Sequence, residues 1–252
     1  MKRALPLYAA AVYAFLHVPL LILLAFSFNS SRFTVWEGFS LTWYRAIFRD
    51  PQLLESARNS IAIACAATAL ATIIGTLAAY GLWKKNLPWL TGSLYLTLVT
   101  PEIVAGISLL AFYQWVFRIL HIQLGMHTVI LAHVSFSIAY VVIVVTSRLR
   151  AADPALEEAA MDLGATPWQA FRLVTLPNLM PAIAAAALLV FTISFDDYVI
   201  TSMVAGVDSE TLPMTLYAIA RRGANPVVNS ISALIFVALG GVILISERLQ
   251  RR

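Results

Sequence analysis

Five stretches of the sequence, residues 4–31, 59–83, 119–147, 173–195 and 223–246, contain no Asp, Glu, Lys or Arg, and 86–117 contains only Glu102. A helix needs about 20 apolar residues to cross a hydrocarbon layer, so each of these runs is long enough to cross once. The chain is 60% apolar and 12% charged over 252 residues, about half the charged fraction of an ordinary soluble domain. The expected fold is therefore all-α and integral to a membrane, a single transmembrane domain over 1–252. Its spans are predicted near 7–28, 59–82, 90–117, 128–147, 179–203 and 229–247. The first run follows Lys2 and Arg3 as a signal peptide would. Its length, Pro6 and Pro19, and the lack of a small-residue cleavage site favour a retained helix. The connecting loops are too short to fold as a separate catalytic domain.

With six crossings both termini share one side. Lys2, Arg3, Lys84, Lys85, Arg148, Arg150, Arg172, Arg248, Arg251 and Arg252 fall there, against Arg32, Arg45, Arg49, Arg58, Arg118, Arg221 and Arg222 on the other. The shortest loop, 83–89, carries Lys84 and Lys85, and short loops weigh most in the positive-inside rule. Both termini are therefore expected in the cytoplasm. The net charge of +4 comes from these flanks and does not indicate nucleic-acid binding. Trp36, Trp43 and Tyr44 suit a surface-lying segment, and Trp83 and Trp89 an interfacial belt. Cys65 is the only cysteine, which excludes an intrachain disulfide and reads as a small packing residue.

Between two apolar runs lies a polar island, 153–177, on the predicted cytoplasmic side. Asp153-Pro154 sets an N-cap acceptor before a proline at the first helical position. Helix-forming residues follow as far as Leu163, and Gly164 is the predicted stop. Thr166, Pro167 and Gln169 form a capping box that starts a second helix, about 167–175, ending before Leu176-Pro177. The result is two short helices at a glycine corner, with Leu163, Trp168 and Phe171 available as apolar contacts. These residues suit a docking element for a soluble partner, and equally an amphipathic link between two spans.

The island resembles the EAA loop of ABC-importer permeases, E-A-A, three residues, G, nine residues, then I-x-L-P. Here the pattern is Glu158-Ala159-Ala160, Gly164 and Val174-Thr175-Leu176-Pro177, with valine in the isoleucine place. The resemblance implies that these short helices insert into a cleft of an ATP-binding subunit and carry its closure to the spans. Glu158, Ala159, Ala160, Gly164, Trp168, Phe171, Leu176 and Pro177 would then be the coupling residues. No G-x-x-x-x-G-K-[ST] phosphate loop occurs in the chain, so ATP and Mg would be bound by the partner ATPase, and this chain would be non-catalytic and hold no cofactor.

Three carboxylates fall within predicted spans. Glu102 follows Thr100-Pro101, roughly 18 Å into the third span. Asp196 and Asp197 lie toward the outer part of the fifth. A charged side chain near a bilayer centre costs about 2.5–3.5 kcal/mol on insertion scales, so an acid kept there faces protein or water. No Lys or Arg lies in the middle of a span to pair with these acids, and such an interior favours a cation. On a continuous helix Ser194, Asp197 and Thr201 share one face, with Thr192 and Asp196 on another. Asp197 is expected to line the path and Asp196 to make a helix or gate contact, although the reverse fits the spacing too. Tyr198 is a candidate for a cation–π contact. His17, His121, His127 and His133 are scattered and read as packing or interface residues.

Further segments are similar to the spermidine/putrescine branch of these permeases. They are Thr100-Pro101-Glu102-Ile103-Val104, the run Ser194 to Ser202, Leu212-Pro213, Tyr217, and Asn225-Pro226-Val227-Val228-Asn229. The resemblance implies a MetI-like six-helix core in a bacterial inner membrane and polyamine import. It also implies an ATPase pair, a second homologous permease subunit, and a periplasmic or lipid-anchored binding protein. Opine, aminoethylphosphonate, thiamine and ferric-iron importers share much of the pattern. A proton-coupled secondary carrier using the three acids, or a membrane scaffold, is the alternative from another class.

Overall fold

The computed structural model describes residues 4–250 apart from 33, 34, 86 and 224. Lys2, Arg3, Arg251 and Arg252, which enter the charge argument for the termini, lie outside the described residues. Helices dominate, and among the described residues one isolated β-bridge pairs Asn29 with Phe39. They are α1 (Ala4–Phe26), α2 (Thr42–Ile47), α3 (Pro51–Lys84), α4 (Pro88–Val99), α5 (Glu102–Leu120), α6 (Met126–Ala151), α7 (Ala155–Asp162), α8 (Pro167–Ala170), α9 (Leu176–Asp196), α10 (Val199–Val204), α11 (Leu212–Ala220) and α12 (Pro226–Gln250). Five helical segments among the described residues are long and apolar enough to cross a membrane, and the apolar part of α12 described in full is shorter.

Two predicted spans are interrupted. The third is not a continuous helix over 90–117, because α4 ends at Thr100 with ψ 126° and α5 begins at Glu102. A residue before proline is pushed out of the helical region, and Pro101 has no N–H to continue the ladder. The fifth, predicted over 179–203, breaks at Asp197, whose ψ is 125°. Ser194, Asp197 and Thr201 therefore do not lie on one face of a continuous helix.

The chain divides into two compact units. The first comprises residues 1–55 and 215–252, where α1 packs on α12 and α12 on α2. Asn29 organises its loop, donating from Nδ2 to the Val35 carbonyl (2.8 Å) and accepting at Oδ1 from the Glu37 N–H (3.0 Å). Trp43 donates its indole N–H to the Asn29 carbonyl at 2.8 Å, and the Tyr44 hydroxyl pairs with Ser27 at 2.7 Å. Both rings are thus tied to the loop by their polar ends, while Trp36 stays half exposed. The apolar side chains of α1, such as Leu7, Phe15 and Leu21, are exposed, the pattern of a helix that faces lipid.

The second unit, residues 56–214, is built around α6, which packs against α9, α10 and α4. Val141, Val145 and Leu149 of α6 join Ala71 and Ala79 of α3 and Leu179, Ala186 and Val190 of α9 in one core cluster. Val129 and Ala132 join Ile63, Tyr113, Ile200 and Val204 in the other. A Cβ on Gly75 would meet the Val141 Cβ at 2.6 Å, so glycine lets α3 approach α6 closely. The 34 residues of α3 make a helix about 50 Å long, longer than the roughly 30 Å hydrocarbon layer. A helix of that length crosses with residues to spare or by tilting.

Candidate functional site

The island is built as its local chemistry dictates. Asp153 Oδ1 accepts the Ala155 N–H at 2.9 Å, capping α7. The helix ends in a Schellman motif, with the Gly164 N–H bonded to the Met161 carbonyl (2.9 Å) and the Ala165 N–H to the Ala160 carbonyl (3.1 Å). Gly164 has φ +92° and nothing within 4 Å of a Cβ built on it, so glycine is required there by backbone conformation alone. Thr166 and Gln169 complete the predicted capping box at 3.3 and 2.8 Å.

The second short helix departs from expectation. It does not stop before Leu176-Pro177. A π-helical turn, Phe171–Thr175, joins α8 directly to α9, and Pro177 sits in the first turn of α9. A wider turn before a proline accommodates the N–H it lacks and the clash of its ring with the preceding carbonyl.

Seven of the predicted coupling residues are at least partly accessible. Glu158, Ala159, Gly164 and Pro177 are exposed, Ala160 and Leu176 are half-buried, and Trp168 is 62% exposed. Phe171 is a correction. It is 3% exposed and its ring lies 4.4 Å from Tyr80 and 5.4 Å from Trp168, so it anchors the island instead of offering an external contact.

The residue that sequence reading missed is Glu157. Its side chain is 5% exposed and points into the unit. Oε1 takes the Lys84 ammonium at 2.7 Å and the Tyr80 hydroxyl at 2.8 Å, and Oε2 accepts from the Thr175 hydroxyl at 2.8 Å. Burial raises its pKa, and the hydrogen bonds from Lys84, Tyr80 and Thr175 with the Lys84 charge outweigh that effect, so the carboxyl is held below its ordinary range. The Lys84 ammonium also lies 4.7 Å from the Trp83 ring.

Inside the spans, Glu102 and Asp197 line one cavity of about 270 Å³, with Thr97, Phe136, Tyr140 and Ile200 among its walls. Asp196 is exposed and Tyr198 half-buried, and neither lines this cavity. Asp197 Oδ2 accepts both the backbone N–H and the hydroxyl of Thr201, each at 2.7 Å. The carboxylate thereby satisfies one of the free N–H groups in the first turn of α10.

His133 is not merely a packing residue. It is fully buried, with Nδ1 2.7 Å from Ser194 Oγ, Nε2 2.9 Å from Thr201 Oγ1, and Nε2 3.4 Å from Asp197 Oδ2. Because the Thr201 hydroxyl donates to Asp197, it can only accept from His133, which places a proton on Nε2. In the neutral ring Nδ1 then accepts from Ser194. Glu102 has no hydrogen bond or ion pair among the described residues, so of the two cavity acids it is the one uncommitted to the fold. Nothing in the sequence pairs position 133 with 197. The signal was a histidine inside a charge-free run, where an ionisable residue reads by default as functional.

Residues 51–252 match the family described as the binding-protein-dependent transport system inner membrane component. The chain is 38% identical over 249 residues to the spermidine/putrescine transport system permease protein PotC of Escherichia coli (strain K12), covering 97% of this chain and 92% of that one. It is 41% identical over 247 residues to the putrescine transport system permease protein PotI of the same strain, covering 95% and 88%. Among solved structures, a chain of a bacterial ABC transporter that imports the acidic polysaccharide alginate superposes with a TM-score of 0.75 at 16% identity, covering 100% of this chain and 96% of that one. A chain of the inward-facing MetNI methionine ABC transporter gives 0.62 at 17% identity, covering 80% and 98%. At such identities the likeness speaks for the fold.

Proposed function

The chain belongs to the family of binding-protein-dependent inner-membrane transport components, and from that premise we propose that it is the permease subunit of an ABC importer for polyamines, spermidine or putrescine. The observation that carries the substrate class is the cavity of about 270 Å³, where Glu102 and Asp197 face the space and no Lys or Arg among the described residues lines it. A polyamine is a flexible cation, and carboxylates in a low-dielectric site favour it. Glu102 takes the ammonium of the solute. Asp197 adds negative charge while it holds α10. Asp196 and Tyr198 act at the margin of the path. The similarity to two polyamine permeases along nearly the whole chain supports the same reading.

In this reading the chain acts as one permease domain with six crossings, both termini and the 153–177 segment on the cytoplasmic side. An ATPase pair binds ATP and Mg and docks on the exposed face of α7 and α8, with Glu158, Ala159, Gly164 and Trp168 at the contact. A second permease subunit completes the path, and a periplasmic or lipid-anchored binding protein delivers the solute. The chain performs no catalysis itself.

The test is affinity purification from native membrane in mild detergent, followed by identification of the accompanying chains and reconstitution in liposomes. An ATPase, a second permease and a binding protein that takes up spermidine or putrescine are expected, with ATP-dependent uptake. A chain that purifies alone after crosslinking, or uptake driven by a proton gradient without ATP, would overturn the proposal.

A further inference from the structure

Helix α7 has two faces with different chemistry. Glu158 and Ala159 are exposed on it, whereas the neighbouring Glu157 is buried. The buried carboxylate accepts from three groups on two other elements. Lys84 and Tyr80 belong to the last turns of α3, and Thr175 ends the π-helical turn that leads into α9. Phe171 of that turn packs against Tyr80 with the rings tilted and their centroids 4.4 Å apart, which closes the ring of contacts.

We infer that Glu157 is a force-transmitting joint, a positioning residue that ties the docking helix to α3 as well as to α9. The inference rests on the transporter reading above and names how the stroke is divided. Through the covalent chain alone, α7 would move only the helices next to it in sequence. α9 follows by way of α8 and the π turn. The Lys84–Glu157 pair adds a second route, into a helix that ends more than 70 residues earlier in the chain. Glu157 is 5% exposed and Lys84 41%, so the pair is buried at its acidic end only. A charge-assisted hydrogen bond held there by two further donors is short and directional, which suits a joint that carries displacement. Removing Lys84 leaves the buried Glu157 carboxylate without its counter-charge, which favours the pair staying closed.

The experiment uses the whole complex in liposomes and measures spermidine moved per ATP hydrolysed for wild type, Lys84→Met, Glu157→Gln and Tyr80→Phe. Tyr80→Phe keeps the ring against Phe171 and removes only the hydroxyl. The expected result is retained assembly and ATP hydrolysis, with transport per ATP down about tenfold in the first two variants, inside the usual range of a coupling between sites. Tyr80→Phe should fall in the same direction by less, and the double exchange Lys84→Glu with Glu157→Lys should recover part of the ratio.

An unchanged ratio in all three single variants would overturn the joint. So would a loss of transport and hydrolysis in equal proportion that tracks loss of assembly, because a merely structural contact behaves that way. A wild-type complex that moves no polyamine with ATP would instead remove the transporter reading, and the joint with it.

Discussion

His133 Nε2 lies 3.4 Å from Asp197 Oδ2, and both atoms meet the same Thr201 hydroxyl. One acid of the cavity is thus held by a histidine, a hydroxyl and a backbone N–H, while Glu102 across the cavity has no such partner among the described residues. The two acids should respond differently to amide substitution. Asp197→Asn is expected to lower the melting temperature in detergent and uptake together, at a cost of about 1–3 kcal/mol for weakened buried hydrogen bonds. Glu102→Gln should leave melting unchanged and weaken spermidine uptake. Equal melting losses in both variants would contradict the division.

His133→Ala removes the partner of Ser194 and Thr201 in a fully buried site. A loss of about 1–3 kcal/mol is expected for each polar group left without a partner. Thermal unfolding of the purified chain, compared with His127→Ala, checks this, since the destabilisation should be specific to position 133.

Gly164 adopts φ +92° in open surroundings. Gly164→Ala should cost about 1–2 kcal/mol at the corner from backbone conformation alone. Gly164→Asp adds a charge at the docking face and should abolish co-purification of the ATPase while membrane insertion stays normal. Full transport by that variant would remove the corner from the docking surface.

Glu157 gives the island a one-sided pH response. Its carboxyl is held below the ordinary range, foremost against the effect of burial, by Lys84, Tyr80 and Thr175. A group whose folded pKa is lowered stabilises fully above its unfolded value, about 4.3 for Glu, and that contribution disappears as pH falls through the lowered value. Protease protection of 153–177 should therefore be flat near neutrality and fall only below about pH 4. Glu157→Gln should start less protected and lose that acid-dependent step.

Much of this architecture is legible because it is written locally. Asp153, Thr166 with Gln169, and Gly164 act on backbone groups within a few residues, so their spacing predicts the caps and corner that the structure contains. Hydrophobic length is local too, and it predicts where the long helices run. The breaks were less accessible. Thr100-Pro101 carries a helix-stopping dipeptide, yet the apolar run around it reads as one span. The stop at Asp197 has no proline or glycine, and its carboxylate turns back to accept the Thr201 N–H in the first turn of α10.

The sequence by itself therefore determined a helical membrane protein, its island and its acids, since apolar length and capping need no information from distant residues. Only the tertiary structure decided that Glu157 turns inward and Glu158 outward, that Phe171 packs on Tyr80, and that His133 holds Asp197. The physical reason is the range of the interactions. Adjacent acids on a short helix have the same composition and the same propensity. What separates them is the place where Lys84 and Thr175 arrive, and that is fixed by helices packing across long stretches of chain.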